Sequence, residues 1–169
     1  MTKDILKYAL LFIGLVFFQV LLFNHITIFN VAFPIIFIYF IIRLPISLNK
    51  SYLFTFSFLL GLIIDIFSDT LGVNALACTL LSGIKRPAFY AYVAKDDKTK
   101  NITPSIRSIG FMDYSKFLLT MVGIYCLLAF TIEYFNFADV KELMVLTVSS
   151  CLLTFLTLLA LDCLIIPKS

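Results

Sequence analysis

"GLIIDIFSDTLGVNALACTLL" runs from Gly61 to Leu81. Most of it is aliphatic, yet it carries Asp65 and Asp69 four residues apart and then Asn74. On a helix that spacing sets both carboxylates on one face. In water such a face is ordinary. In a bilayer it demands a partner for each charge, so the solvent around the chain decides how the stretch reads.

Composition fixes that solvent. Of 169 residues, 62% are hydrophobic and 14% are charged, and the mean hydropathy is +1.05. A soluble domain is nearer half apolar and about a quarter charged. The polar residues here are too few to coat a globule, so one integral membrane domain is expected. The net charge of +3 comes without a glycine-rich phosphate loop or a dense basic stripe, which argues against nucleic acid as a partner. Cys78, Cys126, Cys151 and Cys163 all fall in apolar runs, with no C-x-x-C pair, and read as small hydrophobes rather than metal ligands or disulfides.

Six apolar segments emerge, at about 5–23, 27–44, 52–67, 70–84, 115–135 and 143–166. A hydrocarbon core of ~30 Å needs about 20 helical residues. The first, fifth and sixth segments meet this comfortably, and the second and fourth are short. The first has a basic head and an apolar run of ~19 residues, longer than a signal-peptide core, and no small-residue cleavage site follows it. It reads as an uncleaved span. Helices are expected throughout despite the many Phe, Ile and Val residues, because lipid cannot satisfy an open strand edge.

Charge orients the bundle. Lys3, Lys7, Arg43, Lys50 and Lys168, together with a basic loop at 85–114 that holds Lys85, Arg86, Lys95, Lys98, Lys100 and Arg107, all fall on one side of a six-span layout, as does Lys116. The other side takes Lys141 with Asp65, Asp69, Glu133, Asp139 and Glu142. Cytoplasmic loops collect Lys and Arg, so both termini are expected in the cytoplasm. Tyr8, Tyr52, Tyr90, Tyr92 and Tyr114 fall near the inner interface and Tyr134 near the outer one, depths that suit their amphipathic rings. The basic loop reads either as a docking surface for a cytoplasmic partner or anionic lipid, or as charge that only fixes topology. The two three-span halves carry a short echo of each other, "GLIID" at the end of the third segment and "LLALD" near the end of the sixth.

Depth separates the two aspartates. Counting from Tyr52 at 1.5 Å per residue, Asp65 lies ~20 Å along the third helix and Asp69 ~26 Å along. Asp69 then sits near the outer interface, while Asp65 is still at hydrocarbon depth, where a carboxylate costs ~2.5–3.5 kcal/mol. One reading makes the motif a clasp, with Asp69 or Thr70 capping the fourth helix and Asn74 bonding to Asp65. The other makes Asp65, Asp69 and Asn74 a polar pocket or partner site on the outer face. Gly72 allows close backbone approach in either. Elsewhere, His25 lies alone in the first outer loop, Asp162 is placed to pair with Lys168 or a loop arginine, Gln19 suits an interhelical hydrogen bond and Arg43 a snorkelling side chain. No nucleophile–base pair, metal-ligand spacing or cofactor motif is present in the sequence, so a non-enzymatic role with no metal and no cofactor is expected.

The quoted stretch resembles the signature of the bacterial rod shape-determining protein MreD family: a Gly-Leu near a helix end, an Asp three residues after the Leu, then Leu-Gly and a polar residue before an Ala-Leu-rich helix. Here these are Gly61, Leu62, Asp65, Leu71, Gly72, Asn74 and Ala75. The resemblance implies an all-α, six-helix transmembrane bundle in the bacterial inner membrane, similar to the substrate-binding subunits of energy-coupling-factor transporters. It further implies a non-catalytic scaffold of the cell-wall elongation complex, working with the bitopic protein MreC and through it with MreB and the peptidoglycan-synthesising enzymes. The fold likeness supplies the alternative, a substrate-binding membrane subunit for a vitamin-type solute held near Asp65, Asp69 and Asn74.

Overall fold

The structure is a computed structural model that describes residues 2–23, 34–70, 72–94, 102–133 and 140–165. Its elements are α1 (Thr2–Phe18), continued by a π-helical turn at Gln19–Phe23, α2 (Ile38–Arg43), α3 (Lys50–Ser68), α4 (Val73–Tyr92), α5 (Ile106–Ile109), α6 (Phe111–Glu133) and α7 (Val140–Ile165). No strand occurs among the described residues. Lys50–Ser68, Phe111–Ile132 and Met144–Leu164 are each long and apolar enough to cross a membrane, and Tyr8–Leu21 forms a shorter apolar helix. Their outward faces are apolar too: Leu10 on α1, Phe58 on α3, Leu127 on α6 and Leu152 on α7 are all exposed. A face of that kind is stable against lipid and unstable against water.

Within the described part of the segment expected to be helical over 27–44, the helix runs from Ile38 to Arg43. Residues 27–33 of that expectation lie outside the described residues, as do His25, Leu71, Lys95, Lys98, Lys100, Tyr134, Asp139 and Lys168. Pro34 has no N–H to give, and the chain from Pro34 to Ile36 is irregular although it is buried. Such backbone survives away from water only when side chains satisfy it. Gln19 does so from both ends of its amide: Nε2 donates to the Pro34 carbonyl at 3.2 Å and Oε1 accepts from Ile36 N at 2.8 Å. Thr154 of α7 accepts from Ile35 N at 3.1 Å. The apolar side chains that follow, Phe37 to Ile42, then form the centre of the core.

The fourth segment also differs. α4 does not stop near residue 84 but runs through Lys85 and Arg86 to Tyr92, so the first part of the expected 85–114 loop is helix. Lys85 is fully buried and its Nζ donates to the Leu44 carbonyl at the end of α2, completing the carbonyl end of a helix. Arg86 points another way and donates to the Leu48 carbonyl. The loop's far end is ordered as well. Ser105 caps α5 by a reciprocal bond with Ser108, and α6 begins at Phe111. Tyr114, expected at the interface, is fully buried. α3 packs chiefly on α4, α4 on α6 and α6 on α7.

Candidate functional site

Asp65 sits in the last full turn of α3 and is only 3% exposed. α3 ends directly after it. Asp69 adopts a left-handed backbone, φ 55°, and its N–H returns to the Asp65 carbonyl, as does that of Thr70 at 3.1 Å. Gly72, with φ +79°, starts α4, and the chain reverses. The turn brings the first amides of α4 onto the Asp65 side chain. Oδ1 accepts from Asn74 N at 3.0 Å, from Asn74 Nδ2 at 3.0 Å and from the Thr70 hydroxyl at 2.5 Å. Oδ2 accepts from Ala75 N at 2.8 Å. Asp65 therefore caps the helix that follows its own, and the positive end of the α4 dipole faces a negative charge.

Two further groups close the junction. Tyr125 of α6 donates its hydroxyl to Asn74 Oδ1, so the amide that gives to Asp65 receives from α6. The Tyr125 ring meets Phe37 edge to face at 5.7 Å, which ties the junction to the irregular segment before α2. Gly61, one turn before Asp65, lets α3 and α4 touch backbone to backbone. A Cβ there would fall 2.4 Å from the Asn74 carbonyl oxygen and 2.5 Å from Ala75 Cα.

The sequence-predicted residues thus divide. Asp65, Gly72 and Asn74 meet, with Thr70 and Ala75 added and Gly61 behind them. Leu62 lies half-buried on α3, and Leu71 falls outside the described residues. Asp69 does not join the network. It is exposed and serves as the helix terminator, and neither it nor Thr70 is the N-terminal cap of α4; the cap comes from Asp65 instead. Tyr125 was not foreseen. Its signal was available, since a tyrosine near mid-span needs a partner for its hydroxyl.

A second acidic junction lies at the opposite end of α3, among the basic residues. Asp162 of α7 is 1% exposed. Its Oδ1 accepts from the Tyr39 hydroxyl at 2.7 Å and pairs with Arg43 Nη1 at 3.2 Å, and its Oδ2 accepts from Ile106 N at 2.9 Å. Arg43 also donates to the Pro104 carbonyl and lies over the Tyr39 ring. The arginine read as a snorkelling side chain is thus the partner of Asp162. Cys78 and Cys126 are buried free thiols, Cys151 is half-buried and Cys163 exposed. Among the described residues no three His, Cys, Asp or Glu side chains converge as a metal site would require.

Comparison with protein-family models, with curated proteins and with solved structures gives no match.

Proposed function

We propose that this chain is a non-catalytic, MreD-like scaffold of the bacterial cell-wall elongation machinery, seated in the inner membrane and working with an MreC-like bitopic partner. The observation that carries the reading is the closed Asp65 junction. Both carboxylate oxygens, the Thr70 hydroxyl and both ends of the Asn74 amide are directed into bonds between α3, α4 and α6. A solute subunit needs groups of this kind turned toward its ligand. Here they fix the shape of a helix pair, which is what a scaffold asks of them. Beside the junction the surface is apolar: Ile66, Phe67, Leu76 and Leu80 are exposed. Such a face suits a partner's membrane helix.

In this reading the three membrane-length helices are joined by α1, by the segment that includes α2, and by α4, giving six spans. The end that gathers Arg43, Lys50, Lys85, Arg86 and Arg107 faces the cytoplasm together with both termini.

The test is site-specific photo-crosslinking in native membranes, with one probe at Leu76, exposed beside the junction, and a second at Arg107, exposed at the other end. A crosslink from Leu76 to a single-pass protein with a periplasmic coiled coil supports the scaffold. Lipid adducts alone at Leu76, with an ATPase or its coupling subunit captured at Arg107, overturn it in favour of a solute transporter.

A further inference from the structure

We propose that the cavity between the start of α3 and the second half of α4 holds the headgroup of an anionic glycerophospholipid, with its phosphate between Lys50 and Arg86. The cavity measures about 620 Å³. Lys50, Arg86, Ser47 and Ser82 supply polar groups, Phe54 and Pro87 supply apolar wall, and no carboxylate lines it among the described residues. Two cations facing one concave space repel each other unless an anion lies between them.

The donors are set for a phosphate. Arg86 directs Nη2 to the Leu48 carbonyl, which fixes the plane of its guanidinium at the wall of the cavity it lines. A planar guanidinium with a donor to spare is the usual phosphate fork, and a lysine beside it adds a point charge. Lys50 is also the first residue of α3, whose cap residue Asn49 makes no side-chain bond to the first-turn amides. The positive end of that helix dipole adds to the same space.

The wall argues for a lipid as the source of the phosphate. α3 is one of the three membrane-length helices, and the cavity lies at the end of it where the basic residues gather. Phe54 and Phe58 continue outward along α3 as exposed apolar surface, on which an acyl chain can lie. Pro87 also offers no N–H to the Gly83 carbonyl one turn earlier, and both residues line the cavity. That carbonyl suits a headgroup hydroxyl, as in phosphatidylglycerol. The proposal requires a membrane protein and holds whatever partner the scaffold experiment captures.

Native mass spectrometry of the full chain, titrated with phosphatidylglycerol and separately with phosphatidylcholine, tests it. Phosphatidylglycerol is expected to be retained preferentially. Lys50→Gln and Arg86→Gln should each weaken its retention about fivefold, and the pair about thirtyfold. Lys50 is exposed at the helix start, so Lys50→Gln reads the site even if Arg86→Gln loosens the fold. Equal retention of the two lipids overturns the proposal. So does an equal loss with Arg107→Gln, which would mean diffuse attraction to the basic end. Millimolar inorganic phosphate that binds without lipid and displaces phosphatidylglycerol would assign the cavity to a soluble anion and overturn the lipid.

Discussion

Gly61→Ala is the sharpest perturbation of the α3–α4 junction, because one methyl group meets only backbone. Its Cβ would lie 2.4 Å from the Asn74 carbonyl oxygen, 2.5 Å from Ala75 Cα and 2.6 Å from Ala75 N. No rotamer change can absorb that overlap. Restoring ordinary contact moves the start of α4 away by about 1 Å. The same movement carries Asn74 N and Ala75 N, now 3.0 and 2.8 Å from the Asp65 carboxylate, out of hydrogen-bond range. Interhelical hydrogen bonds in membranes are each worth ~0.6 kcal/mol on average and ~1.7 at most, and overpacking adds ~1–3. The expected loss is therefore about 2–6 kcal/mol. Unfolding of the full chain by SDS in mixed micelles, followed by circular dichroism, reads it directly. Gly14→Ala is the control, since a Cβ at Gly14 meets nothing within 4 Å, and it should be neutral or stabilising by up to ~1 kcal/mol. Gly61→Ala and Asp65→Ala act through the same bonds, so together they should cost ~0.5–3 kcal/mol less than the sum of the two singles. Strict additivity, or a Gly61→Ala protein that unfolds with the wild type, would refute the argument.

Three other substitutions separate the parts of the two junctions, each read by the same SDS titration. Asp65→Asn keeps one acceptor oxygen and should fall between wild type and Asp65→Ala, while Tyr125→Phe, which removes only the hydroxyl given to Asn74, should cost ~1 kcal/mol. Asp69→Gly should be neutral or stabilising by up to ~1 kcal/mol, because it relieves a left-handed backbone at an exposed residue outside the network; a large loss would mean that the Asp69 carboxylate has a structural partner. Asp162→Asn and Arg43→Ala should each destabilise by ~3 kcal/mol and show a coupling of ~1–3 kcal/mol in a double-mutant cycle, against zero if the pair is incidental.

What the sequence made legible follows from which forces act locally. α3, α6 and α7 lie within a few residues of the expected segments, because a long apolar run flanked by charge has one stable arrangement in lipid. The Asp65–Asn74 contact was also readable, because both residues sit on either side of one tight turn and the cost of a buried carboxylate demands a local donor. Less legible were the features set by distant partners. α4 continues past residue 84 because Lys85 Nζ finds the Leu44 carbonyl, a contact across 41 positions that hydropathy cannot register. The second segment is irregular at Pro34–Ile36 because Gln19 and Thr154 satisfy its backbone from two other helices. Hydropathy scores Gln19 and Thr154 as interruptions in apolar runs. Pro34 was the available sign that the helix could not run through unbroken.

Asp65 and Asp162 also give physical content to the short echo between "GLIID" and "LLALD". Each aspartate ends its word, each is buried, and each accepts a backbone N–H from the first turn of another helix: Ala75 for Asp65 and Ile106 for Asp162. Each also takes a side-chain hydroxyl or amide from a third element or from the turn itself. They differ in charge. Asp162 is neutralised by Arg43, whereas Asp65 is held by dipoles alone among the described residues. A carboxylate held only by dipoles keeps its place only while those dipoles stay fixed. This explains why Gly61 and Gly72, which set the approach and the turn, accompany Asp65, while the Asp162 junction carries no glycine at the matching step. Disturbing the turn should therefore unseat Asp65 long before an equal displacement of α5 unseats Asp162.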